Sequence, residues 1–254
     1  MAGTGTQARE NFGHIDFSGL PNTRDLGGLE TLDGRHVVPR RLLRSGALGF
    51  ASDDDLARLR EDYGLRAVID FRDDDELAEY PDPMHAFPAA TYLHADVLRG
   101  RAVGITQSEA AKKEARLQRL VESDPAAAMA EFYTRLVVQE PGPTGYSAFL
   151  RTLLATGEGA VLWHCTMGRD RAGIASVVVE SILGVPRDLI EQDYLATNDF
   201  YEDSAQDPFR AQAVSIDAAF GAVEERYGGM GAYVERALGI TPAECETLRE
   251  RYLA

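Results

Sequence analysis

Short apolar runs alternate with longer amphipathic stretches along this chain. The run Ala160-Val161-Leu162-Trp163 is apolar without interruption and too short for a buried helix, so it predicts a central strand over 159–163. Arg41–Arg44, Arg66–Phe71 and Tyr92–Val97 read as further strands, the second ending in charge. Between them the apolar spacing becomes helical. Ser52 precedes Asp53, Asp54 and Asp55, a cap followed by an acidic first turn, and Leu56 and Leu59 then share a face. Asp73–Tyr80 predicts a short helix stopped by Pro81. Pro125–Gln139 carries Met129, Phe132, Tyr133 and Leu136 at helical spacing, a stripe that faces a core. Thr144–Ala155, Arg171–Leu183 and Pro186–Thr197 predict helices, as does the chain from Asp207 to its end.

Residues 18–39, SGLPNTRDLGGLETLDGRHVVP, are dense in turn-forming residues and read as loops with a short hairpin. Residues 107–123 look helical where a compact α/β unit needs only a loop, so 100–140 reads as a helical insertion, and 1–13 as a tail. Short strands between helices predict an α/β fold: one domain over 1–254, with a mostly parallel central sheet of four to five strands flanked by helices. The C-terminal helices over 199–238 are either a lid, with Phe200, Tyr201, Phe209 and Phe220 over a pocket, or a fixed bundle on the sheet. In such sheets the working site lies at the carboxyl ends of the strands.

Composition narrows the partners. The 41 acidic and 26 basic residues give a formal charge of −15, which disfavours nucleic acid and anionic membranes. Any anion site must therefore work by local geometry. The longest apolar stretch, Ala172–Val185, is broken by Glu180 and predicts no membrane span. The N-terminal segment has no apolar secretory core, which points to the cytoplasm. Two cysteines, Cys165 and Cys245, make no disulfide framework, and Cys245 reads as an inert thiol. His14, His36, His85 and His94 are scattered without metal-ligand spacing, so neither metal nor cofactor is expected. No pattern in the chain sets an oligomeric state.

The chemistry concentrates in HCTMGRDRAG, residues 164–173, between the central strand and the helix from Arg171. A loop of this kind, turning at Gly168, converges its amides beside the free N–H groups of a helix N-terminus and so cradles an anion. The same field, with Arg169 and Arg171, stabilises a thiolate at Cys165. Thiolate attack on a bound phosphate is the chemistry suggested, with Thr166, Met167, Gly168, Arg169, Arg171 and Ala172 lining the phosphate.

Cys-x5-Arg in this form resembles the phosphate loop of cysteine-dependent protein tyrosine phosphatases, and most closely the bacterial tyrosine/lipid branch whose loop reads HCxxGKDR. NTRDLGGL at 22–29, LLRSGAL at 42–48, VIDFRDDDE at 68–76, DYLATND at 193–199 and RYGGMGAYVERALGI at 226–240 resemble that branch too. The resemblance implies a tyrosine-phosphatase-like fold and phosphomonoester hydrolysis on phosphotyrosine proteins, with dual or phosphoinositide specificity. It implies Cys165 as nucleophile, Arg171 as phosphate ligand and Asp170 as general acid. Asp73, Asp74 and Asp75 are rival acids, and a helix-dipole role is the alternative for Asp170. It implies that His164 orders the loop. Asp70 and Arg72 either buttress the loop or form a surface pair. Arg24 and Asp25 tie the N-terminal segment to the site, and Asn198 caps or supports from behind.

Two positions depart from the branch. Arg169 replaces Lys and offers a planar fork to a second anionic group. Ala172 replaces the Thr or Ser whose hydroxyl aids phosphocysteine breakdown. A phosphatase for a nucleotide or sugar phosphate, and a non-catalytic phosphate-binding module, remain alternative readings.

Overall fold

Alternating burial organises the strands of the computed structural model, which describes residues 10–98, 119–201 and 204–254. Val161 and Trp163 face one core with Ala67, Ile69 and Phe71, while Ala160 and Leu162 face a second with Leu43 and Val68. Side chains of successive strand residues point to opposite faces, so a strand covered on both sides must be apolar throughout. That is why the 160–163 run shows no alternation.

The strands are β1 (Arg24–Asp25), β2 (Leu42–Ser45), β3 (Ala67–Asp70), β4 (Thr91–His94) and β5 (Val161–His164), in the order β1-β2-β5-β3-β4. β1 runs antiparallel to β2, and every other pairing is parallel. This is the expected mostly parallel α/β sheet, with β5 at its centre. Ser45 and Asp70 both pair with His164, so β2, β5 and β3 end level and their following loops open on one edge. Strand β4 stops at His94, three residues short of its expected end.

Helix α1 (Asp53–Glu61) starts with a capping box between Ser52 and Asp55, and α2 (Asp74–Glu79) with one between Asp73 and Glu76. They are followed by α3 (Pro125–Val138), α4 (Gly142–Ala155), α5 (Arg171–Leu183) and α6 (Arg187–Leu195). Then come α7 (Ala213–Tyr227), α8 (Met230–Arg236) and α9 (Pro242–Tyr252). Helix α5 is buried nearly all round, as its low polarity requires. Among the described residues, no helix is long and apolar enough to cross a membrane.

The expected tail over 1–13 and insertion over 100–140 lie partly outside the described residues, which omit 1–9 and 99–118. Within the described part, α3 buries Tyr133, Leu136 and Val137 in the larger core. Helix α7 likewise buries Ile216, Ala219 and Val223 there. Phe220 packs against that core under the Arg187 guanidinium, 3.9 Å from its ring centre. Before α7, Tyr201 and Asp207 reach the loop after β5, at Met167 and Arg169.

Candidate active site

Strand β5 ends at His164 and α5 begins at Arg171, so Cys165–Asp170 must turn within the space of one loop. Gly168 makes the turn at φ +67°, and a Cβ there would lie 2.3 Å from the Ser45 carbonyl oxygen, so only glycine fits. Four donors from three segments hold the loop carbonyls. Ala47 N donates to Thr166 O at 3.0 Å, and Asn22 Nδ2 to Met167 O at 3.2 Å. The Tyr201 hydroxyl also donates to Met167 O, and Arg44 Nη2 donates to Gly168 O at 2.9 Å. Each trans peptide points its N–H opposite its C=O. A carbonyl held by one of these donors therefore leaves the following amide pointing to the opposite side.

Beneath the loop lies a buried charge cluster. Arg24 donates to Asp193 Oδ1 at 2.7 Å and to Thr197 Oγ1 at 3.0 Å, while Arg44 donates to Asp193 Oδ2 at 2.9 Å. Arg24 thus reaches the loop through Asp193 and Arg44. Burial, then the Arg44 charge, lower Arg24 to about 10. Burial, then Asp193, push the Glu180 carboxyl well up, so it keeps its proton beside them. Asp25 works elsewhere. It accepts from Gly27 N at 2.8 Å and Arg40 N at 2.7 Å and shapes the turn before β2.

Cys165 sits at the base of the loop with 1% of its surface exposed, while Met167 stands at the rim with 41% exposed. Arg171 extends its fork to a residue that sequence reasoning missed. Its Nη1 and Nη2 donate to Glu76 Oε2 at 2.5 Å and Oε1 at 2.8 Å. Thr166 Oγ1 donates to Glu76 as well, and Glu76 accepts from Asp73 N at 3.0 Å to close the α2 capping box. Neither fork contact uses Nε. Burial raises the Glu76 carboxyl, but Arg171 and Thr166 outweigh it and hold it at about 2. For Arg171, burial works downward and Glu76 more than offsets it, so the guanidinium stays charged.

The sign of this pair sets a pH dependence. A carboxyl held below its ordinary 4.5 adds stability above that pH, and loses it as pH falls toward about 2. Melting curves of Glu76→Gln should therefore flatten relative to wild type across that window. The variant should also lose roughly tenfold in turnover, because a charged hydrogen bond that orients the fork is gone. An unchanged pH slope would exclude this pairing.

Asp170 occupies the N-cap position of α5, yet its carboxylate makes no cap bond. It accepts instead from the Tyr133 hydroxyl at 2.7 Å and from Arg169 Nε at 3.3 Å. Of the rival acids, Asp73 caps α2 through the Asp75 and Glu76 amides, and the Asp74 side chain is 88% exposed. Arg169 also donates to Asp207 Oδ2 at 2.8 Å.

Behind Cys165, Asp70 and Arg72 are fully buried, which removes the surface-pair reading. Arg72 Nε and Nη2 both bond Asp70, and Nη2 also bonds Asp82 at 2.9 Å. His164 Nε2 contacts Asp82 Oδ2 at 2.8 Å, and its Nδ1 lies 3.3 Å from Cys165 O. Burial raises Asp70, but His164 and Arg72 outweigh it and bring it to about 2. Asp70, Asp82 and His164 stand close enough to share a metal ion, but both carboxylates are already bonded to Arg72. Asn198 exchanges two hydrogen bonds with the Ala211 backbone and so pins both ends of the 199–210 segment. The Ala172 methyl is buried, and its carbonyl accepts from Trp163 Nε1 and Ser176 Oγ, each at 3.1 Å.

A family model described as the tyrosine phosphatase family matches residues 15–254. A protein named as a putative tyrosine-protein phosphatase in Cupriavidus necator is 31% identical, over 94% of this chain and 88% of its own. A tyrosine-protein phosphatase of Nostoc commune is 25% identical, over 81% of this chain and 71% of its own. The triple specificity protein phosphatase PtpB of Mycobacterium tuberculosis is 26% identical, over 92% of this chain and 97% of its own.

Proposed function

This chain belongs to the tyrosine phosphatase family, and from that footing we propose that it hydrolyses phosphotyrosine through a phosphocysteine on Cys165. The observation that carries the reading is the meeting of Cys165, Asp170 and the Arg171 fork on one loop whose carbonyls are held by donors from outside it. In the first step Cys165 Sγ attacks phosphorus in line, the P–O bond to tyrosine breaks, and Asp170 gives its proton to the leaving oxygen. Arg171 Nε, which Glu76 does not use, and the loop amides bind the equatorial oxygens as charge shifts onto them. In the second step Asp170 takes a proton from water, which attacks phosphorus and frees the thiolate. Glu76 is a positioning residue for Arg171, and His164, Asp70, Arg72 and Asp82 position the start of the loop.

Depth favours an aromatic ester. Cys165 is only 1% exposed, and a phosphotyrosine ring carries its phosphate farther from the peptide backbone than a phosphoserine side chain does. Arg169 gives a route to wider specificity, since a substrate with a second anionic group can displace Asp207 from it. The triple specificity in the name of the mycobacterial relative makes that arm worth testing.

The test is phosphate release from phosphotyrosine and phosphoserine peptides, phosphoinositides, nucleoside monophosphates and sugar phosphates. Phosphotyrosine should lead in kcat/KM, and Asp170→Asn should lower its turnover roughly 10²- to 10⁴-fold. A nucleotide or sugar phosphate that outran phosphotyrosine would overturn the substrate reading.

A further inference from the structure

The aromatic stripe of α3 does more than fill a core. Tyr133 is fully buried, and its hydroxyl donates to Asp170 Oδ1 at 2.7 Å. Tyr194, on α6, donates to the Tyr133 oxygen at 2.9 Å, with the two rings edge to face at 5.8 Å. A second donor to Asp170, Arg169 Nε, lies at a longer 3.3 Å from each oxygen and is shared between them. Burial, then the Asp170 charge, keep the Tyr133 hydroxyl protonated, and burial first holds Tyr194 at about 12. Both phenols are therefore fixed donors at neutral pH, and the chain Tyr194 to Tyr133 to Asp170 has one direction.

From this geometry we infer that Tyr133 is a positioning residue for proton transfer by Asp170. Its hydroxyl marks Oδ1 as the accepting oxygen and leaves Oδ2 to carry the proton. The inference rests on the reading of Asp170 as the general acid. When the P–O bond breaks, its electron pair stays on the leaving oxygen and takes the Oδ2 proton. Asp170 is left as a carboxylate. A hydrogen bond to a carboxylate is stronger than one to a neutral acid, so the Tyr133 contact strengthens as the proton leaves and favours the transition state over the ground state. Tyr194 acts one step back, holding the Tyr133 hydroxyl in line.

The experiment measures kcat/KM, which reports formation of the phosphocysteine, across aryl phosphates from p-nitrophenyl to phenyl. An activated leaving group departs without a proton, whereas phenoxide needs one. Tyr133→Phe should lose roughly tenfold on phenyl phosphate and little on p-nitrophenyl phosphate, and Tyr194→Phe should lose less in the same direction. Asp170→Asn should show the steepest dependence. The double variant Tyr133→Phe/Tyr194→Phe leaves no orphaned hydroxyl and carries the test if the single variant does not fold. A merely structural role would lower every substrate alike. If Asp170→Asn steepens the dependence and the tyrosine variants do not, the inference fails while the acid assignment stands. If Asp170→Asn does not steepen it, the acid assignment fails and takes the inference with it.

Discussion

Cys165→Ser should abolish turnover, by at least about four decades in kcat, while inorganic phosphate still binds. A thiolate is a strong nucleophile in its own right, but a serine hydroxyl needs a base to take its proton. Asp170, as the proposed acid, carries its own proton in this step, and the neighbouring His164 is turned elsewhere. His164 has Nε2 against Asp82 at 2.8 Å and Nδ1 toward the Cys165 carbonyl, so it faces away from the attacking atom. The carbonyl clamps from Ala47, Asn22, Arg44 and Tyr201 do not involve the Cys165 side chain, so the anion cradle survives the change. Phosphate release and phosphate-induced stabilisation against heat, measured on the same samples, check both halves. Activity within about tenfold of wild type would remove the thiol from the mechanism.

Arg171→Lys should fail differently, losing roughly 10²- to 10³-fold in kcat and weakening phosphate binding as well. A lysine supplies the same charge from a single point and cannot serve two partners in a plane. In the native site the fork gives Nη1 and Nη2 to Glu76, which on the proposed reading leaves its Nε edge for the substrate. An ammonium at this position must choose between them. The comparison of kcat with KM is diagnostic: Cys165→Ser separates chemistry from binding, and Arg171→Lys damages both. A variant that bound phosphate as wild type does and turned over normally would show that charge alone suffices there.

The architecture around the loop was legible because its signals are local. A doubly covered strand has to be apolar at every position, and Val161–Trp163 is. A helix that starts at Arg171 and is buried nearly all round reads as the continuous run to Leu183. The partners that complete the site were not legible, because they come from far along the chain. Glu76 meets Arg171 across 95 positions, and Asp82 meets His164 across 82. The run Asp73–Glu76 offers four acids, and nothing in Cys-x5-Arg says which one turns inward. The register of α2 decides it, and Asp73 sets that register as the cap. The Asp-x-x-Glu capping box was the available signal. Tyr133 carried a still weaker one, since apolar periodicity reports that a face is buried and says nothing of where a hydroxyl at its edge is aimed. The same limit holds for Phe220, whose spacing does not reveal that the Arg187 guanidinium lies over its ring.

The central claim is the covalent intermediate on Cys165. It is tested most directly by mixing the enzyme with an aryl phosphate, quenching within one turnover, and mapping the phosphorylated peptide by mass spectrometry. A phosphate-sized mass increase is expected on the peptide containing Cys165, absent in Cys165→Ser. Phosphate released in a burst with no labelled cysteine, or label on any other side chain, would contradict it.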